Sequence, residues 1–364
     1  MLRDAKIVSD HNLTFHPTAK DCYSTLSSNK QLQEFKLFVS NQLFTSYLTD
    51  FHKTESWFAF DTLFVLWLIA EFQYTHLSIV NGAIGEIGVH RGKFTSYLYL
   101  LRHRNGNQTL FAADVFAKKS LNIDQSGNGD RNEFLKAIKT YANVSVDEVD
   151  IYEGNSLDLN SAYSNNTSAH HWWQKKVGKN GFQIVSIDGG HTTLLTYADL
   201  CSVSKFLVDG GIVIVDDIDN PGWLGVRDGV GRFLSETSSL FNTNDDLVLF
   251  NMLKRHTFAP TFEFSCRIVK VTSKAGKSEH GCSRLVPILL YANKLYLTTS
   301  NYYPHYMNFL AKLNANGVNV VTYNALKSVA GNIPIWSDSQ SKKRGTSNDN
   351  IRSTWLAEIT RATS

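Results

Sequence analysis

Glu86-Ile87-Gly88-Val89-His90-Arg91-Gly92 is the stretch that decides the fold. Before it, Ala83 to Ile87 has the length and apolar content of a buried strand. After it, Lys93 to Arg102 is patterned as a helix, so both glycines fall where a strand turns sharply into a helix. Glycine there lets the backbone approach a ligand closely, and the helix start offers amide N–H groups with no partner inside the helix. A phosphate-cradling loop is disfavoured, because Phe94 follows Gly92-Lys93 where Ser or Thr should hold magnesium. A dinucleotide fingerprint fits imperfectly, because His90 stands at its second glycine. The acidic residue two positions before Gly88 suits a ligand with an ammonium group. Glu86 can accept from an amino-acid moiety such as that of S-adenosylmethionine, although a merely tight turn has the same glycines.

Outward from this turn, short apolar runs alternate with helical stretches, which signals a parallel sheet with crossover helices. Strands are expected at Ala83–Ile87, Leu110–Ala113, Val149–Tyr152, Gln183–Ile187 and Gly211–Val215. Helices are expected at Lys93–Arg102, Arg131–Ala142, Leu194–Leu207 and Val226–Ser235. Leu285–Tyr291 and Lys294–Thr299, joined by Ala292-Asn293, read as an antiparallel hairpin. Helical spacing from about Leu32 to Tyr74 marks a helical N-terminal section, and Phe262, Phe264, Cys266 and Ile268 alternate like an extra strand. The chain divides into a helical section over 1–75, a core domain over 76–306 with an insertion at about 237–284, and a C-terminal extension over 307–364.

Composition sets bounds on partners and location. With 43% hydrophobic and 19% charged residues, the chain has the makeup of an ordinary globular protein rather than a disordered one. A net charge of +3, with Lys and Arg scattered, gives no basic stripe for nucleic acid. The most apolar run, Trp57 to Phe72, is broken by Asp61 and too short for a membrane span. Met1 to Lys20 has no signal-peptide core, and the four cysteines show neither a zinc spacing nor a disulfide framework, so the expected location is the cytoplasm. The helical section is a candidate for pairing with a second copy of the chain.

The chemistry-bearing residues gather at strand ends. Asp114 closes the second strand, one crossover after the glycine turn, where a carboxylate can take the ribose hydroxyls of a nucleoside or simply cap a loop. Asn155-Ser156 after the third strand are candidates for adenine contacts, or turn formers. The fourth strand ends in Ser186-Ile187-Asp188-Gly189-Gly190-His191 and the fifth in Val215-Asp216-Asp217. Neighbouring strands bring these carboxylates to one edge, where they repel unless a cation or proton intervenes; Mg²⁺ is a natural occupant of such a site, and capping is the plain alternative. Trp223, Tyr302, Tyr303 and His305 are candidates for the wall of a sugar site, or for core.

Taken together, Glu86-Ile87-Gly88 with Gly92, Asp114, Ser126-Gly127-Asn128-Gly129-Asp130, Ile187 to His191, Gly210-Gly211 and Asp216-Asp217 resemble the class I S-adenosylmethionine-dependent methyltransferases. Trp223-Leu224-Gly225-Val226 and Asn293-Lys294-Leu295-Tyr296-Leu297 extend the resemblance, which spans roughly Trp57 to Tyr306 and is similar to the branch of macrocin- and novobiocin-type sugar O-methyltransferases and cephalosporin-hydroxylase-like proteins. It implies an α/β, doubly wound, Rossmann-like methyltransferase sheet of seven strands with the last hairpin antiparallel. It places the methionine part of S-adenosylmethionine on Glu86, Gly88, His90 and Gly92, and the nucleoside on Asp114, Val115, Asn155 and Ser156 with Asp188 alongside. It implies Mg²⁺ on Asp188, Asp216 and Asp217, with His191 as base beside Asp188 and a small-molecule or glycan hydroxyl as acceptor. Two other readings are a metal-dependent hydroxylase-like enzyme on the same fold and a non-catalytic nucleotide-binding or scaffold protein.

Overall fold

The computed structural model describes residues 42–50, 54, 56, 62–103, 106–178, 180–218, 220–237, 285–291, 293–306 and 308–309. Their centre is one seven-stranded sheet, ordered β3-β2-β1-β4-β5-β7-β6. Its strands are β1 (Ala83–Ile87), β2 (Leu110–Asp114), β3 (Val149–Glu153), β4 (Phe182–Ile187), β5 (Leu207–Val215), β6 (Leu285–Tyr291) and β7 (Lys294–Thr299). The first five run parallel, and β7 enters antiparallel beside β5 and carries β6 at the edge. The doubly wound sheet with an antiparallel final hairpin is therefore the observed architecture. The expected insertion and C-terminal extension, with the strand at Phe262 to Ile268, fall outside the described residues apart from Thr237 and positions 308–309.

Alternating residues along each strand sort into two separate cores, because successive side chains in a strand point to opposite faces. Ile84, Leu110, Ala112, Ile184, Ile212 and Ile214 face α1 (Gln42–Thr49), α2 (Thr62–His76), α3 (Lys93–Leu100) and α4 (Arg131–Ala142). Ala83, Ile87, Phe111, Ala113, Val185, Val213 and Val215 face α5 (Thr167–Trp173), α6 (Thr193–Ser204) and α7 (Leu224–Thr237). Cover on both faces explains why the strands read as unbroken apolar runs. The strand order reverses between β1 and β4, so the C-terminal ends of β1, β2, β4 and β5 border one crevice.

Two polar features fix the helices. At the opposite, N-terminal end of the sheet, buried Gln73 of α2 donates to the carbonyls of Gln183 and Gly210 at 3.2 and 3.1 Å. Gln183 donates back to the Gln73 amide oxygen and to the Ile79 carbonyl. On the other side, α4 starts at Asp130, whose carboxylate accepts from the N–H groups of Asn132 and Glu133, and stops at Asn143 in a left-handed conformation. Removing the exposed cap by Asp130→Ala is expected to cost about 1 kcal/mol, read as a small drop in the urea midpoint. No change would show that the loop before α4 holds the helix start without it.

Two expectations are corrected here. Helix α5 was not foreseen; Thr167–Trp173 is short, and its His and Trp residues carry little helical preference. Cys201 on α6 is disulfide-bonded, where the sequence shows no disulfide framework. Among the described residues no helix is long and apolar enough to cross a membrane.

Candidate active site

The glycine turn is as tight as the spacing implies. Gly88 has φ +89°, and a Cβ there would lie 1.9 Å from the carbonyl oxygen of Asp188, so β1 and β4 close on each other through a residue without a side chain. Gly92, at φ +80°, caps α3 against Phe134. His90 between them also has positive φ, 51°, and its N–H donates to Asp114 Oδ2 at 2.8 Å. The Phe116 N–H donates to Asp114 Oδ1 at 2.5 Å. Asp114 thus already holds backbone donors on both oxygens, and its carboxylate keeps lone-pair capacity for a hydroxyl. Burial raises its pKa, and those N–H groups partly offset the rise. Val115 follows it, half-buried, with its carbonyl accepting from the Lys118 N–H at 3.0 Å.

Glu86 points to the α3 face of the sheet, is 2% exposed, and accepts a hydrogen bond from Thr95 of α3. Burial, with the nearby Asp188 charge second, pushes its pKa up to about 8. Its carboxyl lies beneath the turn, not on an open surface. Asn155 uses its side-chain oxygen to cap the turn at Ser156–Leu159, accepting from the Leu157 N–H at 3.0 Å.

At the ends of β4 and β5 the acidic residues divide into two sets. Asp188, His191 and Asp217 converge, each offering a ligand atom within 4.8 Å of the others. His191 Nε2 lies 3.3 Å from Asp217 Oδ2 and 3.7 Å from Asp188 Oδ1. Asp217, at φ +56°, is held by the side-chain amides of Asn220 and Asn293 at 3.0 and 2.8 Å. Asp216 belongs elsewhere: one oxygen pairs with the Lys294 ammonium, and the other accepts from the Asp217 N–H. The sequence placed Asp216 among the metal ligands; the converging trio has His191 in its place, because β7 brings a buried cation to Asp216.

Lys294 and Asp124, like Asn220 and Asn293, are site residues to which the sequence assigns no role. Lys294 opens β7, is 1% exposed, and sets its ammonium 4.7 Å from the centre of the Phe94 ring. Burial acts to lower its pKa, but the charges of Asp216 and Asp188 prevail and raise it. Asp124 lies in the loop after β2, and its Oδ2 is 2.8 Å from His191 Nδ1. An Asp two residues before a Ser reads only as a turn former; nothing local points to a partner 67 residues away. Trp223, considered for a sugar wall, stacks on the His191 ring at 4.5 Å and 22°. Tyr302 and Tyr303 pack into the core, Tyr302 against Gly210 near the other end of β5.

Electrostatics favour a charged imidazole. Burial works to lower the His191 pKa, and the hydrogen bonds to Asp124, Asp188 and Asp217 overcome it, raising the pKa to about 11. Asp188 is pushed up to about 7 by burial and by Asp216, although over a third of its side chain stays open to the crevice. Three carboxylates around one imidazole leave an excess of negative charge, which a divalent cation would fit.

Residues 86–218, from β1 to just past β5, match the model of a methyltransferase-domain family. The chain carries a class I, S-adenosylmethionine-dependent methyltransferase domain. Around this domain, the O-methyltransferase NovP is similar at 15% identity over 66% of this chain and 79% of that one, with a TM-score of 0.39. The MycE methyltransferase of the mycinamycin pathway, in complex with Mg and SAH, is similar at 13% identity over 70% and 54% of the two chains, with a TM-score of 0.36. TomG from Streptomyces achromogenes, an O-methyltransferase in complex with SAM, gives 11% identity over 75% and 92%, with a TM-score of 0.33. None of the curated proteins matches.

Proposed function

We propose that the methyltransferase domain is an O-methyltransferase acting on a hydroxyl of a sugar, glycan or other small molecule, assisted by a divalent cation such as Mg²⁺. The observation that carries this reading is the position of His191: its Nε2 faces Asp188 and Asp217 at the edge where the glycine turn makes room for a cofactor. S-adenosylmethionine supplies a methyl group already activated on a sulfonium, so the protein has to align the acceptor and remove one proton. Gly88, His90 and Gly92 form the backbone cradle for the methionine part, with Glu86 beneath it. Asp114 and Val115 take the ribose side, and Asn155 and Ser156 border the adenine. His191 receives the hydroxyl proton. Asp188 and Asp217 are the groups that would hold a cation, whose charge would neutralise the two carboxylates and lower the pKa of a nearby hydroxyl, leaving the Nε2 lone pair of His191 for the proton. With those carboxylates neutralised, Asp124 and the Ser126 hydroxyl are the remaining hydrogen-bond partners of the imidazole.

Calorimetry with S-adenosylmethionine and S-adenosylhomocysteine tests the cofactor part. Asp114→Ala is expected to weaken both by about 1–3 kcal/mol through lost hydrogen bonds, with the fold retained. Equal affinity in the variant removes the ribose assignment. No binding of either compound to the unmodified chain removes the whole reading.

A further inference from the structure

Resting on His191 as the proton acceptor, we propose that Asp124 is its positioning residue: it fixes which ring nitrogen faces the acceptor. An imidazole has two orientation problems. Its ring can flip, putting Cδ2 where Nδ1 stood and Cε1 where Nε2 stood, and either nitrogen can carry the proton. Asp124 Oδ2 accepts from both the backbone N–H and the ring Nδ1 of His191, so one oxygen ties the ring to its own main chain. A flipped ring loses that second bond. Trp223 lies against the ring face and restrains its tilt. Nε2 is then left toward Asp188 and Asp217.

The carboxylate is itself held for this task. Asp124 Oδ1 accepts from the Ser126 N–H at 3.0 Å and the Ser126 hydroxyl at 2.7 Å. The Asn122 side-chain amide donates to the Ser126 carbonyl at 2.8 Å, closing the loop on itself. The Asp124 and His191 side chains are 7% and 10% exposed, and among the described residues no Lys or Arg forms an ion pair with Asp124. A carboxylate this enclosed, aimed at one imidazole and braced from behind, has the arrangement by which an acidic residue orients a catalytic histidine without touching the substrate.

The test reads the ring directly and needs no acceptor. Nitrogen-15 histidine-labelled full chain is compared as wild type, Asp124→Asn and Asp124→Ala, with His191→Asn to assign the signal. Wild type should show a slowly exchanging, strongly downfield proton on His191 Nδ1. That proton should be weakened in Asp124→Asn and lost in Asp124→Ala, with the melting midpoint and S-adenosylhomocysteine affinity of Asp124→Asn retained. Persistence of the signal in Asp124→Ala overturns the assignment. So does loss of fold or cofactor affinity in both variants, which would make Asp124 a brace for its loop. A chain that shows the expected ring signals yet transfers no methyl to any hydroxyl counts against the proposed function alone.

Discussion

His191→Ala is expected to lower methyl transfer by ~10²–10⁴-fold at saturating cofactor and cation, the loss that follows removal of a general base. Cofactor affinity should barely change, because His191 lies beyond the glycine turn and the ribose carboxylate. A chelator should suppress turnover as well, and for a linked reason. Without a cation, Asp188 and Asp217 join Asp124 in holding a proton on the imidazole, whose pKa is raised to about 11. Mg²⁺ added back should restore the rate, and Asp217→Asn should blunt that recovery. Initial rates of S-adenosylhomocysteine formation are the measurement. Full activity in both His191→Ala and the chelated enzyme would leave the catalytic role without support.

The second large effect falls on stability. Lys294→Met should cost about 3–5 kcal/mol, since removing one partner of a buried ion pair strands the other charge. Here more than one carboxylate is stranded: Asp216 loses its ion pair, and Asp188 and Glu86 lose a nearby positive charge. Adding Asp216→Asn to the Lys294→Met chain should recover much of the loss. Chemical denaturation of the four chains in the cycle decides it. A single variant within 1 kcal/mol of wild type would mean that the ammonium contributes nothing net.

The contrast between these two residues shows what a sequence reveals. His191 was legible because it follows an apolar strand and a Gly-Gly turn, and local pattern alone puts such a residue at the sheet's carboxyl edge. The same holds for Asp114 and for the strands themselves, whose apolar runs carry their own boundaries. The start of β5 was read late, at Gly211 instead of Leu207, because Leu207-Val208 also continues the helical pattern before it. Lys294 stands in a hairpin, where a lysine ordinarily points to water. Its burial follows from β7 inserting between β5 and β6, a pairing that no spacing within the hairpin encodes. Asp124 was hidden for the same reason, since its partner arrives from another strand. The pairing of Asp216 with Lys294 was hidden because adjacency to Asp217 says nothing about which of the two meets a cation from the protein itself.

The interlocked amides of Gln73 and Gln183 bear on where this polypeptide can be cut. Two sheet carbonyls, those of Gln183 and Gly210, take a side-chain donor from α2. A shortened chain beginning after His76 would keep every described strand and every residue of the candidate active site, yet strip the Gln183 carbonyl of its side-chain donor, leave Gly210 to the Tyr306 hydroxyl alone, and take one acceptor from the Gln183 amide. Trimming to the sheet therefore removes part of what closes the sheet, and the minimal folding unit has to begin upstream of Thr62.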